Sequence, residues 1–438
     1  MSLLPKPLAK LPIAPRSTKP SVLRHKLNID CESINNHTNN TNEVPESPAH
    51  RHTRSYGRIM PKTSSLTQIA LKPKPSIAIT PSKALFDMYS KLSSTECKEI
   101  SNYKELYYFG LDKKTKESSI KTDEDGYYKV IISDHLLFRY EILEELGQGS
   151  FGTVVKCKDH KTDETFAIKI MRKTQRILKF GRREVEVLNL FSKKINDANS
   201  CIVEKIDQFY FRDHLCIVFE LLTINLYDFI KKDHFQGISQ NLARRITTQV
   251  LIALKHSHEL GIIHCDVKPE NIVFKQENKS GIKLIDFGST CTVRDKCYGY
   301  IQSRFYRAPE VILEYDYNVT IDIWSLGCVV VEMVTGWPLF AGDNEEEILQ
   351  QIVNTIGQPP KEVLLKAKRG DKLNNENMHS GDRNTDYNED AVPLDQLLEG
   401  FDLNLIDFVK RCIVWEKNTR ITAEEGLMHP WIRGTHSS

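Results

Sequence analysis

The run HCDVKPEN, His264 to Asn271, is followed fifteen residues after Asn271 by DFG, Asp286 to Gly288. It presents a carboxylate (Asp266), a lysine two positions on (Lys268), an amide three beyond that (Asn271) and then a second carboxylate (Asp286). Phosphoryl transfer is catalysed almost wholly by positioning and charge neutralisation, and these side chains supply the parts for it. Asp266 can align a hydroxyl nucleophile and take its proton late, while Lys268 faces the oxygens of the migrating group. Asn271 and Asp286 offer hard oxygens to magnesium, or to manganese, bridging nucleotide phosphates. A capping Asp or a surface Lys would explain any one of these alone. Four at this spacing, with the apolar strand pattern Gly281 to Ile285 just before DFG, are better explained together.

An independent half of the site lies upstream in GQGSFGTV, Gly147 to Val154. Its glycines let a strand turn tightly and bring backbone N–H groups against phosphate oxygens with no Cβ in the way. Dinucleotide-binding folds share this spacing, but there the turn opens a helix. Here alternating strands flank it, RYEILEEL before and TVVKC after. Leu146, Gly147, Gln148, Gly149, Ser150, Phe151, Gly152, Thr153 and Val154 are therefore the expected ATP cradle. Seventeen residues after Gly152, AIKI sets Lys169 inside an apolar strand, where an unpaired ammonium would be costly. Glu184, on a helical pattern with Val187, Leu188 and Phe191, lies near the face that turns inward and is the predicted ion-pair partner. Its neighbour Glu186 is expected to be solvated. Gly181 costs a helix about 1 kcal/mol relative to Ala, which predicts a helix start later than the pattern suggests. Together the two halves describe a protein kinase, an α+β bilobal fold with a β-rich small lobe and a helical large lobe.

The expected division follows from composition and pattern. The chain has 438 residues and a net charge of +2. Residues 1 to 80 hold twelve Lys and Arg against four Asp and Glu, leaving the remainder at −6. That Pro-, Ser-, Thr- and Asn-rich segment cannot bury enough apolar surface to fold and is expected to be a disordered tail. It lacks interleaved aromatics, so a solvated tail is favoured over nucleic-acid binding. The kinase domain is expected over 140 to 434, with a small lobe from 140 to 219, a hinge of Glu220, Leu221 and Leu222, and a large lobe from 223. Phe219 would close the back of the adenine pocket, and hinge backbone groups would read the adenine edge. The polar stretch 371 to 390 is expected to be a surface insertion. Early prolines argue against a signal peptide, and no 18-residue apolar run exists to span a membrane. The ten cysteines lack paired CxxC spacing, so most are expected to be reduced thiols. Cys265 precedes the catalytic Asp, and Cys291 follows Asp286 by five residues. Because the two carboxylates converge on one ATP, these thiols are expected within bonding range.

The run YGYIQSRFYRAPEVIL, Tyr298 to Leu313, closely resembles the activation segment of the dual-specificity tyrosine-regulated kinases, the DYRK family. HCD in place of HRD, DFGSTC and ELLTINLYDFI from Glu220 resemble the same family. DEDGYYKVIISDHLLFRYEIL, Asp123 to Leu143, looks like the box that precedes its catalytic core, making 82 to 139 an accessory region. Ala84 to Leu111, with helical spacing at Leu85, Met88, Tyr89 and Leu92, resembles the accessory segment of class II members. The resemblance implies autophosphorylation on Tyr300, followed by phosphorylation of Ser and Thr in protein substrates, with Pro after the acceptor and Arg two or three residues before it. Glu270 is the expected acidic contact for that arginine. With Cys265 where other kinases carry arginine, Arg304 and Arg307 are the expected phosphotyrosine clamp. A cytoplasmic, and also nuclear, location and a monomeric catalytic unit are expected. The competing reading, a pseudokinase-like scaffold acting through the basic tail, is disfavoured because no member of the catalytic set is missing.

Overall fold

The computed structural model describes residues 77–112, 122–195, 199–296, 301–370 and 392–434. Most of the basic tail, the polar insertion and Tyr300 lie outside the described residues. Before the catalytic core come two short helices, α1 (Pro81–Asp87) and α2 (Ser94–Glu99), each started by a hydroxyl cap, Thr80 and Ser93. The apolar stripe expected from Leu85 onward is cut short. Helix α1 ends at Asp87, leaving Leu85 and Tyr89 exposed, while Ala84, Leu92, Ile100, Leu106 and Phe109 gather with Phe138 in a separate small core. Glu96, fully buried, meets His135 at 2.6 Å, and Arg212 reaches Glu99 at 3.2 Å, so a buried hydrogen bond and an ion pair as well as apolar burial seat this region on the small lobe.

The small lobe is a six-stranded antiparallel sheet of β1 (His135–Leu136), β2 (Tyr140–Gly149), β3 (Gly152–Asp159), β4 (Glu164–Met171), β5 (Lys205–Phe211) and β6 (His214–Glu220), in the order β1-β2-β3-β4-β6-β5. Alternation in β3 (GTVVKCKD) buries Val155 and Cys157 under one face, as a half-covered strand requires. Helix α3 (Gln175–Lys194) packs beneath, begun by Thr174, whose side chain accepts from the N–H of Ile177. The expected late start is thus incorrect, since Gly181 lies well inside the helix. A Cβ there would meet Leu215 at 3.0 Å and Met171 at 3.1 Å. The glycine is a close-packing residue, and helix–sheet contact outweighs its poor propensity.

After β6 the chain runs without helix or strand through 221–224 into α4 (Leu226–Lys232) and α5 (Gln240–Glu259). The large lobe adds the pairs β7 (Ile262–Ile263) with β10 (Cys291–Thr292), and β8 (Ile272–Phe274) with β9 (Ile282–Leu284). Helix α6 (Ile321–Thr335) is buried on nearly every side, as its run IDIWSLGCVVVEMV demands, and α7 (Glu345–Ile356) lies beyond it. Among the described residues, no helix is long and apolar enough to cross a membrane.

Candidate active site

The β2–β3 hairpin carries the glycine-rich turn, with Gly149 opposite Gly152. Only glycine fits at 152, where a Cβ would stand 2.1 Å from the carbonyl oxygen of Ile170. Lys169 on β4 faces inward and donates to Glu184 at 2.8 Å and to Asp286 at 2.9 Å. Sequence spacing anticipated the first contact, and folding supplies the second from 117 residues away. Burial pushes the Glu184 carboxyl upward, whereas Lys169 holds Asp286 below the usual carboxylate range despite its burial. Phe219 is buried opposite Ala167 near the end of β6. The Glu220 side chain accepts from the Glu204 N–H at 2.8 Å and pairs with Lys283 at 3.2 Å, while Leu221 and Leu222 lie half-buried beside the core.

Asp266 stands between three donating side chains. Lys268 Nζ donates to its Oδ2 at 2.7 Å and Asn271 Nδ2 at 3.3 Å, while Ser303 Oγ donates to Oδ1 at 2.7 Å. Asn271 Nδ2 also holds the Asp266 carbonyl at 2.8 Å. Asp322, at the start of α6, accepts from the backbone N–H groups of His264 (2.8 Å) and Cys265 (2.9 Å) and fixes the loop from below. Cys265, Asp286 and Gln302 all have positive φ, at 64°, 64° and 61°. Non-glycine residues pay for such conformations, and here the Gln302 N–H donates to the Cys265 carbonyl at 3.0 Å, so two of them brace each other. The Cys265 and Cys291 sulfurs are 3.4 Å apart and both are buried.

Arg307 donates to the carbonyls of Ile301 (2.9 Å) and Gln302 (2.7 Å) and pairs with Glu345 at 2.8 Å. Arg304 instead turns to the carbonyls of Gly342 and Asp343. Four residues of this neighbourhood escaped sequence reasoning: Lys283, Ser303, Asp322 and Glu332. Three are lone charges in apolar runs, the same signal that singled out Lys169. Glu332 is buried and accepts from the Tyr306 hydroxyl at 2.8 Å. Burial above all, with Glu270 adding its charge, pushes Glu332 up to about 7, and burial likewise raises Glu270.

A two-lobed fold with an ion-paired lysine, a glycine hairpin and an aspartate loop at the junction defines a protein kinase, and residues 140–432 match the protein kinase domain family. The chain is 43% identical over 370 residues to human dual specificity tyrosine-phosphorylation-regulated kinase 4, covering 82% of this chain and 71% of that protein. It is 40% identical to dual specificity tyrosine-phosphorylation-regulated kinase 2 of Drosophila melanogaster, with 82% and 52% covered. With the probable serine/threonine-protein kinase dyrk2 of Dictyostelium discoideum the identity is 44%, with 81% and 40% covered. The chain belongs to the dual specificity tyrosine-phosphorylation-regulated kinase family.

Proposed function

We propose that this kinase passes the γ-phosphate of ATP to serine and threonine hydroxyls of proteins once its own Tyr300 has been phosphorylated, acting in the cytoplasm or nucleus. The observation that carries this reading is the convergence of Lys268, Asn271 and Ser303 on Asp266, which aims one carboxylate at one place. There Asp266 aligns the acceptor hydroxyl and takes its proton, while Lys268 neutralises the transferred group. Lys169, held by Glu184, holds the α and β phosphates under the glycine hairpin. Asn271 spends its amide nitrogen on Asp266, so its oxygen, with the Asp286 carboxylate, forms a hard donor set that fits magnesium or manganese. Such an ion, when bound, would neutralise phosphate charge. Arg307, which holds the carbonyl of Ile301, the residue after Tyr300, and Arg304 are the proposed cationic partners of a phosphate on Tyr300.

Substrate preference has a physical basis. With Ser303 touching Asp266, we place the residue after the acceptor beside Gln302. The Gln302 carbonyl already accepts from Arg307 at 2.7 Å, so a substrate N–H there would have to compete with a guanidinium, a competition that proline, lacking the N–H, avoids. Burial raises both Glu332 and Glu270, and the charge of Glu270 adds to the rise at Glu332, so a substrate guanidinium would be attracted to this pair of carboxyls. On peptides with Arg before and Pro after the acceptor, kcat/KM should fall as pH drops through about 7, because protonating Glu332 removes the attraction. Glu332→Gln should flatten that profile and leave peptides without Arg unaffected. Equal turnover of Pro and Ala peptides, or no phosphate on Tyr300 by mass spectrometry, would refute the corresponding part of the proposal. The raised carboxyl also makes folding stability decline as pH rises from the ordinary Glu range to about 7, since the native state then binds more protons than the unfolded chain.

The thiol pair gives a separate expectation. Peroxide would oxidise Cys265 and Cys291 to a disulfide, peroxide being reduced to water, and a thiol reductant would restore activity. Cys291 and burial push the Cys265 thiol well above its usual range, so cross-linking should be slow at neutral pH and quicken as pH rises. Peptide mass spectrometry that finds no Cys265–Cys291 link after oxidation would remove the idea.

A further inference from the structure

The tip of the glycine hairpin is tied from outside by the loop DEDGY, Asp123 to Tyr127. Gly126, at φ +84°, turns this loop, while the Asp123 side chain accepts from the Tyr127 N–H at 2.7 Å and the Gly126 carbonyl accepts from the Lys173 N–H at 2.7 Å. From this anchored turn the Tyr127 hydroxyl donates to the carbonyl of Gly149 at 3.1 Å. Arg172, just past the end of β4, lies over the Tyr127 ring at 4.4 Å and donates to the Asp125 carbonyl at 2.6 and 3.0 Å. The same guanidinium reaches the Ser150 carbonyl at 3.3 Å, and the Arg172 N–H reaches that of Phe151 at 2.9 Å. Three successive carbonyls at the tip are thus held.

We propose that Tyr127 and Arg172 form a strap that presets the glycine-rich turn for nucleotide phosphates, making both positioning residues for ATP. In a planar trans peptide the C=O and the following N–H point in opposite directions, and no cis peptide occurs among the described residues. Drawing the carbonyls of Gly149 and Ser150 toward the strap therefore turns the N–H groups of Ser150 and Phe151 the other way, toward the space beneath the hairpin, while Gly152 closes the turn opposite Gly149. The strap adds to the strand pairing of Gly149 with Gly152 and of Gly152 with Met171, and to the packing of Phe151 on Phe180 at 5.2 Å. A Cβ built on Gly147 or Gly149 would meet nothing within 4 Å. Beside the strap, a cavity of about 500 Å³ separates the loop from Glu145, Gln148 and Thr153 of the hairpin. Without the strap, the turn would have to be ordered at the expense of binding energy each time ATP entered.

This inference rests on the hairpin binding phosphates, so its test compares ligands that differ only in phosphate. Tyr127→Phe and Arg172→Met are made in the full chain, and binding of Mg-ATP and of adenosine is measured by calorimetry. Tyr127→Phe should weaken Mg-ATP about fivefold and Arg172→Met about tenfold or more, with adenosine changed by less than about twofold in both. Peptide KM should stay unchanged while KM for ATP rises. Equal weakening of ATP and adenosine would mark a general loss of small-lobe structure and overturn the strap, as would unaltered ATP binding in both variants. A parent chain that transfers no phosphate to peptides would instead refute the proposed activity, a distinct result from the binding comparison.

Discussion

Asp266→Asn should lower kcat by at least about 100-fold while Mg-ATP binding stays close to that of the parent. The substitution is nearly isosteric, yet the carboxylate it replaces accepts from Lys268, Asn271 and Ser303 at once. An amide offers one acceptor and would point its own N–H at one of those donors. The acceptor hydroxyl would then lose both its alignment and the group that takes its proton. Lys169, the glycine hairpin and Asp286 are untouched, so nucleotide affinity should survive. Single-turnover kinetics together with nucleotide titration check this, and retention of more than about a tenth of the parent kcat would contradict the assigned role.

The second large effect is expected at Asp322. Its buried carboxylate satisfies the N–H groups of His264 and Cys265 and meets His258 Nε2 at 2.9 Å. Asp322→Ala would leave two buried N–H groups unpaired, costing roughly 3–5 kcal/mol, and would free the backbone that carries Asp266. A loss of stability alone would not prove positioning, so a control is needed. Arg420 and Glu310 form a fully buried pair with contacts of 2.6 and 3.0 Å, remote in role from the catalytic loop. Arg420→Ala should cost a similar 3–5 kcal/mol by stranding Glu310. Measured per folded molecule, Arg420→Ala should keep most of its kcat, while Asp322→Ala should lose about 100-fold. Equal kcat in the two variants would mean that Asp322 contributes stability only.

The sequence by itself determined the chemistry and the two-part architecture. Spacing within continuous segments is enough to put Asp266, Lys268 and Asn271 on one loop, and periodicity is enough to put Lys169 on a strand and Glu184 on the inner face of a helix. Such inferences are local, and strand and helix geometry carries them directly. Local propensity misled at Gly181, because the penalty of a glycine in a helix is smaller than that of forcing a Cβ against Met171 and Leu215. It also overextended the stripe from Leu85, since capping and termination at Asp87 decide where α1 stops.

What only the tertiary structure decided are the contacts between distant segments. Ser303 on Asp266, Asp322 beneath His264 and Cys265, Lys283 on Glu220, and Arg172 across Tyr127 each join residues that no periodicity relates. Sequence could show that a charge inside an apolar run must have a partner, because burying it alone is too costly. It could not show which partner, since opposite charges are interchangeable until the backbone fixes distance and direction. The same indeterminacy applies to the two arginines after Tyr300. Arg304 and Arg307 are separated by a single turn in sequence, yet folding sends one to Gly342 and Asp343 and the other to Ile301, Gln302 and Glu345.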